Sequence, residues 1–228
     1  MEFYDRLKLN GKEKWALIAI VDYGMGNLRS VWKAFAYLGA QARLTNSPLD
    51  IREARKIVLP GVGAFRDCMA NLDRMGLLEP IMRAIREGKP YLGICLGLQV
   101  LFEQSEEFGK TPGMGIIQGR VVRFPPDMPV EGQGPRRFLT VPHIGWNSIR
   151  LLKNAPHLDG VPQKAYFYFV HSYFGVPEET SVVATITDYG VEFVSSLWKD
   201  NIFACQFHPE KSQAPGLRIL RNFLALPD

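Results

Sequence analysis

The sequence predicts a single α/β domain whose central sheet is mostly parallel, with helices on both faces and antiparallel extensions. In the first half of the chain, apolar runs of strand length alternate with amphipathic helical stretches, a pattern typical of βαβ units. In the second half, strand-like runs follow one another with few helices between them. A length of 228 residues, with 46% hydrophobic and 22% charged residues, suits one well-packed core.

The first half supplies the parallel strands and their crossover helices. Each apolar run ends at a segment that favours a turn, so the predicted strands are residues 15–21, 56–59 and 91–94. After the turn at residues 22–27, an apolar stripe from Leu28 to Leu38 predicts a helix that Gly39 closes. The other helices are predicted around residues 69–75, 81–86 and 96–102.

The second half supplies the antiparallel extensions, which we expect on the same sheet. The predicted strands are residues 121–124, 147–151, 165–174, 182–188, 193–198 and 202–206, and a final helix is predicted near 217–224. Residues 125–137 are rich in proline and glycine, which predicts a mobile loop but no domain boundary. We therefore expect a charged N-terminal extension at residues 1–14 and one domain at 15–228.

Charge and hydropathy exclude several classes of protein. The net charge of +4 is not concentrated in a basic patch with stacking aromatic residues, which argues against nucleic-acid binding. No apolar run reaches the roughly 18 residues that cross a bilayer, so we expect no membrane span. Residues 1–14 are too charged to begin a secretory signal, and we expect a cytoplasmic protein.

The cysteines exclude further kinds of site. The chain has three, Cys68, Cys95 and Cys205, which are far apart in the sequence. An odd number at such spacing provides neither a disulfide framework nor a zinc site of the Cys-x-x-Cys type. We expect no metal and no cofactor, so the role of any cysteine must come from its own chemistry.

Cys95 lies in the segment Gly93-Ile-Cys95-Leu-Gly97, at the predicted junction between a strand and a helix. This G-x-nucleophile-x-G pattern presents a nucleophile on a tight turn, and its glycines leave room for neighbouring elements. Unpaired backbone N–H groups at the start of a helix also favour a thiolate. Taken alone, the pattern describes a small buried residue between two glycines equally well.

A partner for Cys95 follows the last predicted strand, in the segment Phe207-His208-Pro209-Glu210. Proline at 209 favours an extended His208, and the end of this strand could converge with Cys95. With His208 as base and Glu210 as the carboxylate that orients it, the three residues would form a Cys-His-Glu triad. A cysteine peptidase, another α/β hydrolase and a flavodoxin-like binding module stay open as alternatives.

The segment from Pro90 to Leu101, together with His208-Pro-Glu210, resembles the signature of class I, triad-type glutamine amidotransferases. Within that superfamily the chain is similar to the glutaminase subunits of imidazole glycerol phosphate synthase, from histidine biosynthesis. Four further segments carry this similarity: Asp22-Tyr-Gly-Met-Gly-Asn-Leu28, Leu59-Pro-Gly-Val-Gly-Ala-Phe65, Pro142-His-Ile-Gly-Trp-Asn147 and Phe169-Val-His-Ser-Tyr173. The runner-up is the glutaminase of another synthase, such as anthranilate synthase.

The resemblance implies a flavodoxin-like fold and the hydrolysis of glutamine to glutamate and ammonia. Cys95 is expected to attack the side-chain amide, and His208 to protonate the departing ammonia. An oxyanion forms twice in such a reaction and needs backbone donors. The implied oxyanion-hole residues are Val62, Gly63 and Leu96, and the implied glutamine-binding residues are Gly61, Gln99 and His143.

The resemblance also implies a partner protein, a (β/α)8-barrel cyclase subunit in a 1:1 heterodimer. The cyclase receives the ammonia and forms imidazole glycerol phosphate and an aminoimidazole carboxamide ribonucleotide. Two residues are expected near the interface: Asn27, which we also expect to cap the helix that follows it, and Lys211, directly after the triad carboxylate.

Overall fold

The computed structural model describes residues 18–128 and 138–227. The α-helices are α1 (Leu28–Tyr37), α2 (Pro48–Glu53), α3 (Phe65–Arg74), α4 (Leu78–Arg86), α5 (Leu96–Gln99) and α6 (Gln213–Ala225). The strands are β1 (Ile18–Val21), β2 (Ala42–Thr45), β3 (Lys56–Gly61), β4 (Tyr91–Cys95), β5 (Phe102–Ser105), β6 (Thr111–Pro112), β7 (Ile117–Arg123), β8 (His143–Ser148), β9 (Arg150–Leu151), β10 (Tyr166–His171), β11 (Tyr173–Pro177), β12 (Val183–Asp188), β13 (Glu192–Lys199) and β14 (Ile202–Cys205). The predicted extension at 1–14 and residues 129–137 of the predicted loop lie outside the described residues.

The main sheet has eight strands in the order β2-β1-β3-β4-β14-β13-β12-β9. The first five in this order are parallel, and β13, β12 and β9 extend the sheet in antiparallel fashion. The predicted, mostly parallel sheet is thereby confirmed. Strands β4 and β14 are adjacent, with Ile94 paired to Cys205, so the segments that follow both strands emerge side by side.

Helices cover both faces of this sheet, and each face has its own core. Helices α2, α3 and α4 contribute to the core on one face, while α1 and α6 contribute to the core on the other. Within β1, Ala19 and Val21 belong to the first core, and Ile18 and Ile20 to the second. Burial on both faces explains why the parallel strands are continuous apolar runs in the sequence.

Two smaller sheets hold the other strands of the second half. Strand β10 pairs with β8, and the order β11-β7-β5-β6 forms a four-stranded sheet. The predicted single strand at 165–174 divides at Ser172, because its first part pairs with β8 and its second with β7. The expectation that all these strands extend the main sheet is therefore wrong for β7, β8, β10 and β11. The strand predicted at 202–206 does lie in the main sheet, but β14 runs parallel to β4 and is not one of the antiparallel extensions.

The structure also differs from the sequence prediction in local details. The helix predicted at 96–102 ends at Gln99, because Phe102 begins β5, which pairs with β7 and β6. Strand β2 and helix α2 were absent from the prediction, although Ser47 accepts a hydrogen bond from the Asp50 N–H as an N-cap. Asn27 occupies the N-cap position of α1, but its side chain makes no capping hydrogen bond within the described chain.

None of the helices in residues 18–128 and 138–227 is long and apolar enough to span a membrane.

Candidate active site

Cys95 lies on the strained turn that the sequence pattern predicts. It is the last residue of β4 and the N-cap of α5, and its φ of 54° is one that residues other than glycine rarely adopt. Such a conformation costs on the order of 1–3 kcal/mol and persists only where the surrounding structure holds it. Cys95 is buried but still 6% exposed, whereas Cys68 and Cys205 are fully buried. Of the three thiols, that of Cys95 is the accessible one.

Close packing requires both glycines of this turn, Gly93 and Gly97, as predicted. A Cβ on Gly97 would overlap the carbonyl oxygen of Leu59 in β3, and a Cβ on Gly93 would overlap the backbone of Gly97. The strand, the turn and the neighbouring strand therefore approach at backbone contact distance, which fixes the position of Cys95.

The predicted oxyanion segment lies directly beside Cys95. Gly61, the last residue of β3, is the ladder partner of Cys95, and a Cβ on it would lie 2.6 Å from both the Leu96 Cβ and the Tyr23 hydroxyl. Val62 is half-buried and Gly63 is exposed, with a φ of 98° that favours glycine. The structure thus brings Gly61, Val62, Gly63 and Leu96 to Cys95, and their roles with substrate stay predictions.

His208 and Glu210 follow β14, the strand beside β4. His208 has the extended conformation that Pro209 favours, with φ −103° and ψ 93°. Its Nδ1 atom lies 2.8 Å from the Glu210 Oε1 atom, and both side chains are almost completely buried. Because a carboxylate accepts, Nδ1 carries the proton, and the Nε2 atom is the one left for chemistry.

The backbone of His208 is fixed by residues that the sequence analysis missed. Its N–H donates to the Tyr168 carbonyl at 2.9 Å, and its own carbonyl accepts from the Ser212 hydroxyl at 2.6 Å. Ser212 is fully buried, and its hydroxyl oxygen also accepts the Tyr168 N–H at 3.0 Å. One serine thereby ties His208 to β10, a contact that no short motif could have revealed.

The surroundings of His208 favour its protonated form. Burial by itself opposes the charge, but interactions with Cys95 and with the Glu210 carboxylate raise its pKa to about 10. The Nε2 atom has no hydrogen-bond partner of ordinary geometry among the described residues, so the interaction with Cys95 is loosely aligned. Such a contact is usual for a catalytic pair before substrate binds.

Gln99, predicted to bind glutamine, is buried one helical turn beyond Cys95. Its Nε2 atom donates to the Tyr173 carbonyl at 2.8 Å and to the Gln206 Oε1 atom at 3.1 Å. Gln206, which the sequence analysis missed, in turn directs its Nε2 atom to the Cys95 Sγ atom at 3.5 Å. Both amide hydrogens of Gln99 are engaged internally, and its contact with glutamine stays a prediction.

His143, predicted to contact glutamine, lies in a buried aromatic cluster. Its ring stacks on Tyr189 and Phe169, with ring centroids 3.9 and 4.9 Å away. Its Nδ1 atom lies 3.2 Å from His171 Nε2, and burial lowers the pKa of His143 to about 4. His143 is thus held neutral in an internal network, and its contact with glutamine stays a prediction.

The two residues predicted at an interface lie near the surface. Asn27 is exposed, and the half-buried Lys211 has its ammonium group 5.5 Å above the Tyr168 ring. Strands β8 and β10, beside this lysine, also carry exposed apolar side chains. These are Ile144, Trp146 and Tyr166. We call the surface formed by these three residues and Lys211 the docking face.

The chain matches known amidotransferases over almost its whole length. The family model described as class-I glutamine amidotransferase matches residues 19–226. The chain is also 56% identical over 207 residues to the imidazole glycerol phosphate synthase subunit HisH of Syntrophotalea carbinolica, covering 91% of this chain and 98% of the relative. The HisH subunit of Geobacter sulfurreducens is 55% identical, covering 90% and 97%. The chain belongs to the class-I glutamine amidotransferase family.

Solved structures support the fold of this amidotransferase. A glutamine amidotransferase crystal structure superimposes with a TM-score of 0.68 at 17% identity, covering 91% of this chain and 97% of the other. A PurLQS structure from Thermotoga maritima has a TM-score of 0.68 at 18% identity, covering 91% and 96%. These similarities confirm the predicted fold class.

As a class-I glutamine amidotransferase, the enzyme hydrolyses the side-chain amide of glutamine. Family membership excludes the peptidase and the binding module that the residues alone left open. The site offers a thiol, a histidine and a carboxylate, the groups that acyl transfer through a covalent intermediate needs. Within the described residues, no group of three or more His, Cys, Asp or Glu side chains could hold a metal ion.

Proposed function

We propose that this amidotransferase is the glutaminase subunit of an imidazole glycerol phosphate synthase, and that Cys95, His208 and Glu210 form its triad. The observation that carries this proposal is the convergence of Cys95 with the paired His208 and Glu210 at the ends of the adjacent strands β4 and β14. The high identity to relatives named as HisH subunits of that synthase supports the choice among glutaminases.

The reaction proceeds through two acyl transfers. The Cys95 thiol gives its proton to His208 Nε2, and its sulfur attacks the amide carbon of glutamine to form a C–S bond. His208 then returns a proton to the amide nitrogen, the C–N bond breaks, and ammonia leaves a glutamyl thioester. Water, deprotonated by His208, hydrolyses the thioester to glutamate and restores the thiol. The backbone N–H groups of Leu96 and of the turn at 61–63 stabilise both oxyanions.

Glu210 supports each proton transfer without taking up the proton itself. Its carboxylate holds the Nδ1–H of His208 and thereby presents Nε2 to the sulfur. It also stabilises the imidazolium form that exists between the two transfers, as the raised pKa of His208 reflects.

The acceptor of the ammonia belongs to another protein, a (β/α)8-barrel cyclase bound in a 1:1 heterodimer that acts as a lyase. Ammonia released into water would be protonated and diluted, so the site should open onto the partner. The docking face supports this arrangement, because it combines exposed apolar and aromatic side chains with a lysine next to the triad. All three cysteines are free and buried, which supports a reducing, cytoplasmic location.

The test is to mix the chain with candidate synthase subunits and measure both assembly and glutaminase rate. We expect a 1:1 complex with the barrel cyclase in analytical ultracentrifugation at micromolar concentration. Glutaminase activity should be weak in the isolated chain and rise when cyclase and its ribonucleotide ligand are added. Full activity of the chain alone, or the absence of a complex with the cyclase, would contradict the proposed partner.

Replacing Lys211 by alanine probes the docking face. We expect a several-fold loss in the coupling of glutamine hydrolysis to cyclase turnover, and a change in the free energy of unfolding below about 1 kcal/mol. Lys153→Ala is the matched control, because Lys153 also lies over an aromatic ring, 5.8 Å from the centroid of Trp198, but outside the docking face. Equal coupling in the two variants would show that Lys211 is not part of the interface.

A further inference from the structure

Gln206 is a fully buried polar residue in contact with the nucleophile, and the reaction described above does not use it. It lies between β14 and the triad histidine, and its N–H donates to the Ser195 carbonyl at 2.9 Å. Its side chain spans the distance between Gln99 on one side and Cys95 on the other. A buried carboxamide in this position can present either its oxygen or its NH2 group to the sulfur.

The hydrogen-bond network decides which group faces Cys95. A backbone carbonyl can only accept, so the Gln99 atom that lies 2.8 Å from the Tyr173 oxygen must be the amide nitrogen. That same nitrogen lies 3.1 Å from the side chain of Gln206 and must donate there too. The Gln206 atom facing Gln99 is therefore the oxygen, and its NH2 group points at the sulfur.

A second branch of the hydrogen-bond network also ends at the Tyr173 carbonyl. His171 Nδ1 donates to the Tyr173 oxygen at 2.9 Å, which leaves its Nε2 as the acceptor for His143 Nδ1. His143 Nε2 then accepts from the Asn147 side chain at 3.4 Å. The carbonyl of Tyr173 thus sets the direction of every hydrogen bond from Asn147 to Cys95, and the orientation of Gln206 is not free to reverse.

We propose that Gln206 is a catalytic residue that donates a hydrogen bond from its NH2 group to the Cys95 sulfur and stabilises the thiolate, with Gln99 as its positioning residue. This inference deepens the proposed role of Cys95 as nucleophile and rests on it. The Val170 carbonyl, 3.9 Å from the sulfur, is an acceptor that serves only the protonated thiol. When the proton moves to His208 Nε2, the hydrogen bond from Gln206 strengthens, because its acceptor has become charged.

The test measures the rate at which iodoacetamide alkylates Cys95 as a function of pH, read by mass spectrometry of the peptide that contains Cys95. The thiolate sulfur forms a bond to the CH2 carbon and iodide leaves, so the rate follows the thiolate population. Gln206→Met keeps the length of the side chain and removes the donor. We expect the midpoint of the profile to move upward by about one pH unit, and the rate well below the midpoint to fall about tenfold.

Ser195→Ala is the matched control. Ser195 is also fully buried and forms a side-chain hydrogen bond to Thr185 at 2.8 Å, but Thr185 keeps Ser196 as a partner at 2.7 Å. The backbone carbonyl that accepts from Gln206 is retained in this variant. We expect the midpoint of the alkylation profile of Ser195→Ala to match that of the parent chain.

Gln206→Glu provides a second test if the methionine variant does not fold. A carboxylate beside the sulfur opposes the thiolate charge, so its midpoint should move upward at least as far. An unchanged midpoint in a folded Gln206 variant, or an equal shift in Ser195→Ala, would overturn the proposal. Alkylation reports on the Cys95 thiolate directly, and glutamine hydrolysis tests the proposed function separately.

Discussion

His208 and His171 are both buried beside the same site, yet their surroundings have opposite effects on their charge. Burial lowers the pKa of His171 to about 3, although its hydrogen bond to the Tyr173 carbonyl works in the other direction. Burial also opposes charge on His208, but Cys95 and Glu210 raise its pKa to about 10. The difference lies in the partners of His208, which are Cys95 and the Glu210 carboxylate, with the Glu210 Oε1 atom 2.8 Å from the His208 Nδ1 atom.

Burial alone makes a histidine neutral, and charged partners are needed to reverse this effect. His171 and His143 have aromatic rings, a backbone carbonyl and an amide around them, which suits a neutral network of fixed direction. His208 instead has the partners that a proton carrier needs. The two environments therefore separate the structural histidines of the site from His208, the one proposed to act in catalysis.

Cys95→Ala is the most severe way to break this arrangement. It removes the nucleophile and one of the two partners that raise the pKa of His208. Glutaminase activity should fall at least about 10⁴-fold. The complex with the cyclase should still form product from added ammonium salts, because the cyclase chemistry lies in the other subunit. Glutamine hydrolysis that survived this substitution would show that Cys95 is not the nucleophile.

Substitutions of His208 and Glu210 separate the role of the base from that of the carboxylate. His208→Ala should lose nearly as much activity as Cys95→Ala, since base and nucleophile act as a unit. The loss of activity in Glu210→Ala should be about 10²-fold smaller than in His208→Ala, because this variant loses orientation and charge stabilisation but keeps the base. Steady-state rates in the presence of the cyclase measure this order. A larger loss for Glu210→Ala than for His208→Ala would overturn the assigned roles.

Because burial holds several histidines neutral, we expect the free energy of unfolding to fall in mild acid. His157 is a third one, stacked on Phe203 with ring centroids 4.4 Å apart, and burial lowers its pKa to about 4. A pKa lowered from 6.5 stabilises the fold above pH 6.5, and this contribution is lost as the pH falls toward 4. Phenylalanine takes up no proton, so His157→Phe should avoid this loss. The free energy of unfolding of the variant minus that of the parent chain should therefore be about 2 kcal/mol larger at pH 4.5 than at pH 7.

Urea unfolding of His157→Phe and the parent chain at both pH values measures this effect. His157 lies outside the triad, so the glutaminase rate at pH 7 provides the control and should stay within twofold. The same difference in unfolding free energy at both pH values would mean that His157 does not titrate in this range.

The sequence predicted the parts of the site that local geometry determines. Cys95 between two glycines, and His208 next to a proline and two residues before Glu210, are short patterns whose conformations follow from steric rules. The parallel strands were predicted for a similar reason, since burial on both faces leaves a continuous apolar run. Adjacency of β4 and β14 then brings the two patterns together.

The sequence could not predict contacts that depend on distant parts of the chain. Ser212 supports His208 only because β10 passes beside it, and Gln206 reaches Cys95 across two neighbouring strands. The division of residues 165–174 between two sheets depends on the partners β8 and β7, which lie far away in the sequence. The helix predicted beyond Gln99 failed because strand pairing, and not local propensity, decides the conformation at Phe102.

The most direct test of the triad is covalent labelling with an electrophilic glutamine analogue, with and without glutamine, followed by mass spectrometry. We expect one adduct per chain on Cys95, protection by glutamine, and parallel loss of glutaminase activity. Cys68 and Cys205 should stay unmodified because they are fully buried. Inactivation without an adduct on Cys95, or labelling of Cys95 that glutamine does not slow, would contradict the assignment of Cys95 as the nucleophile that attacks glutamine.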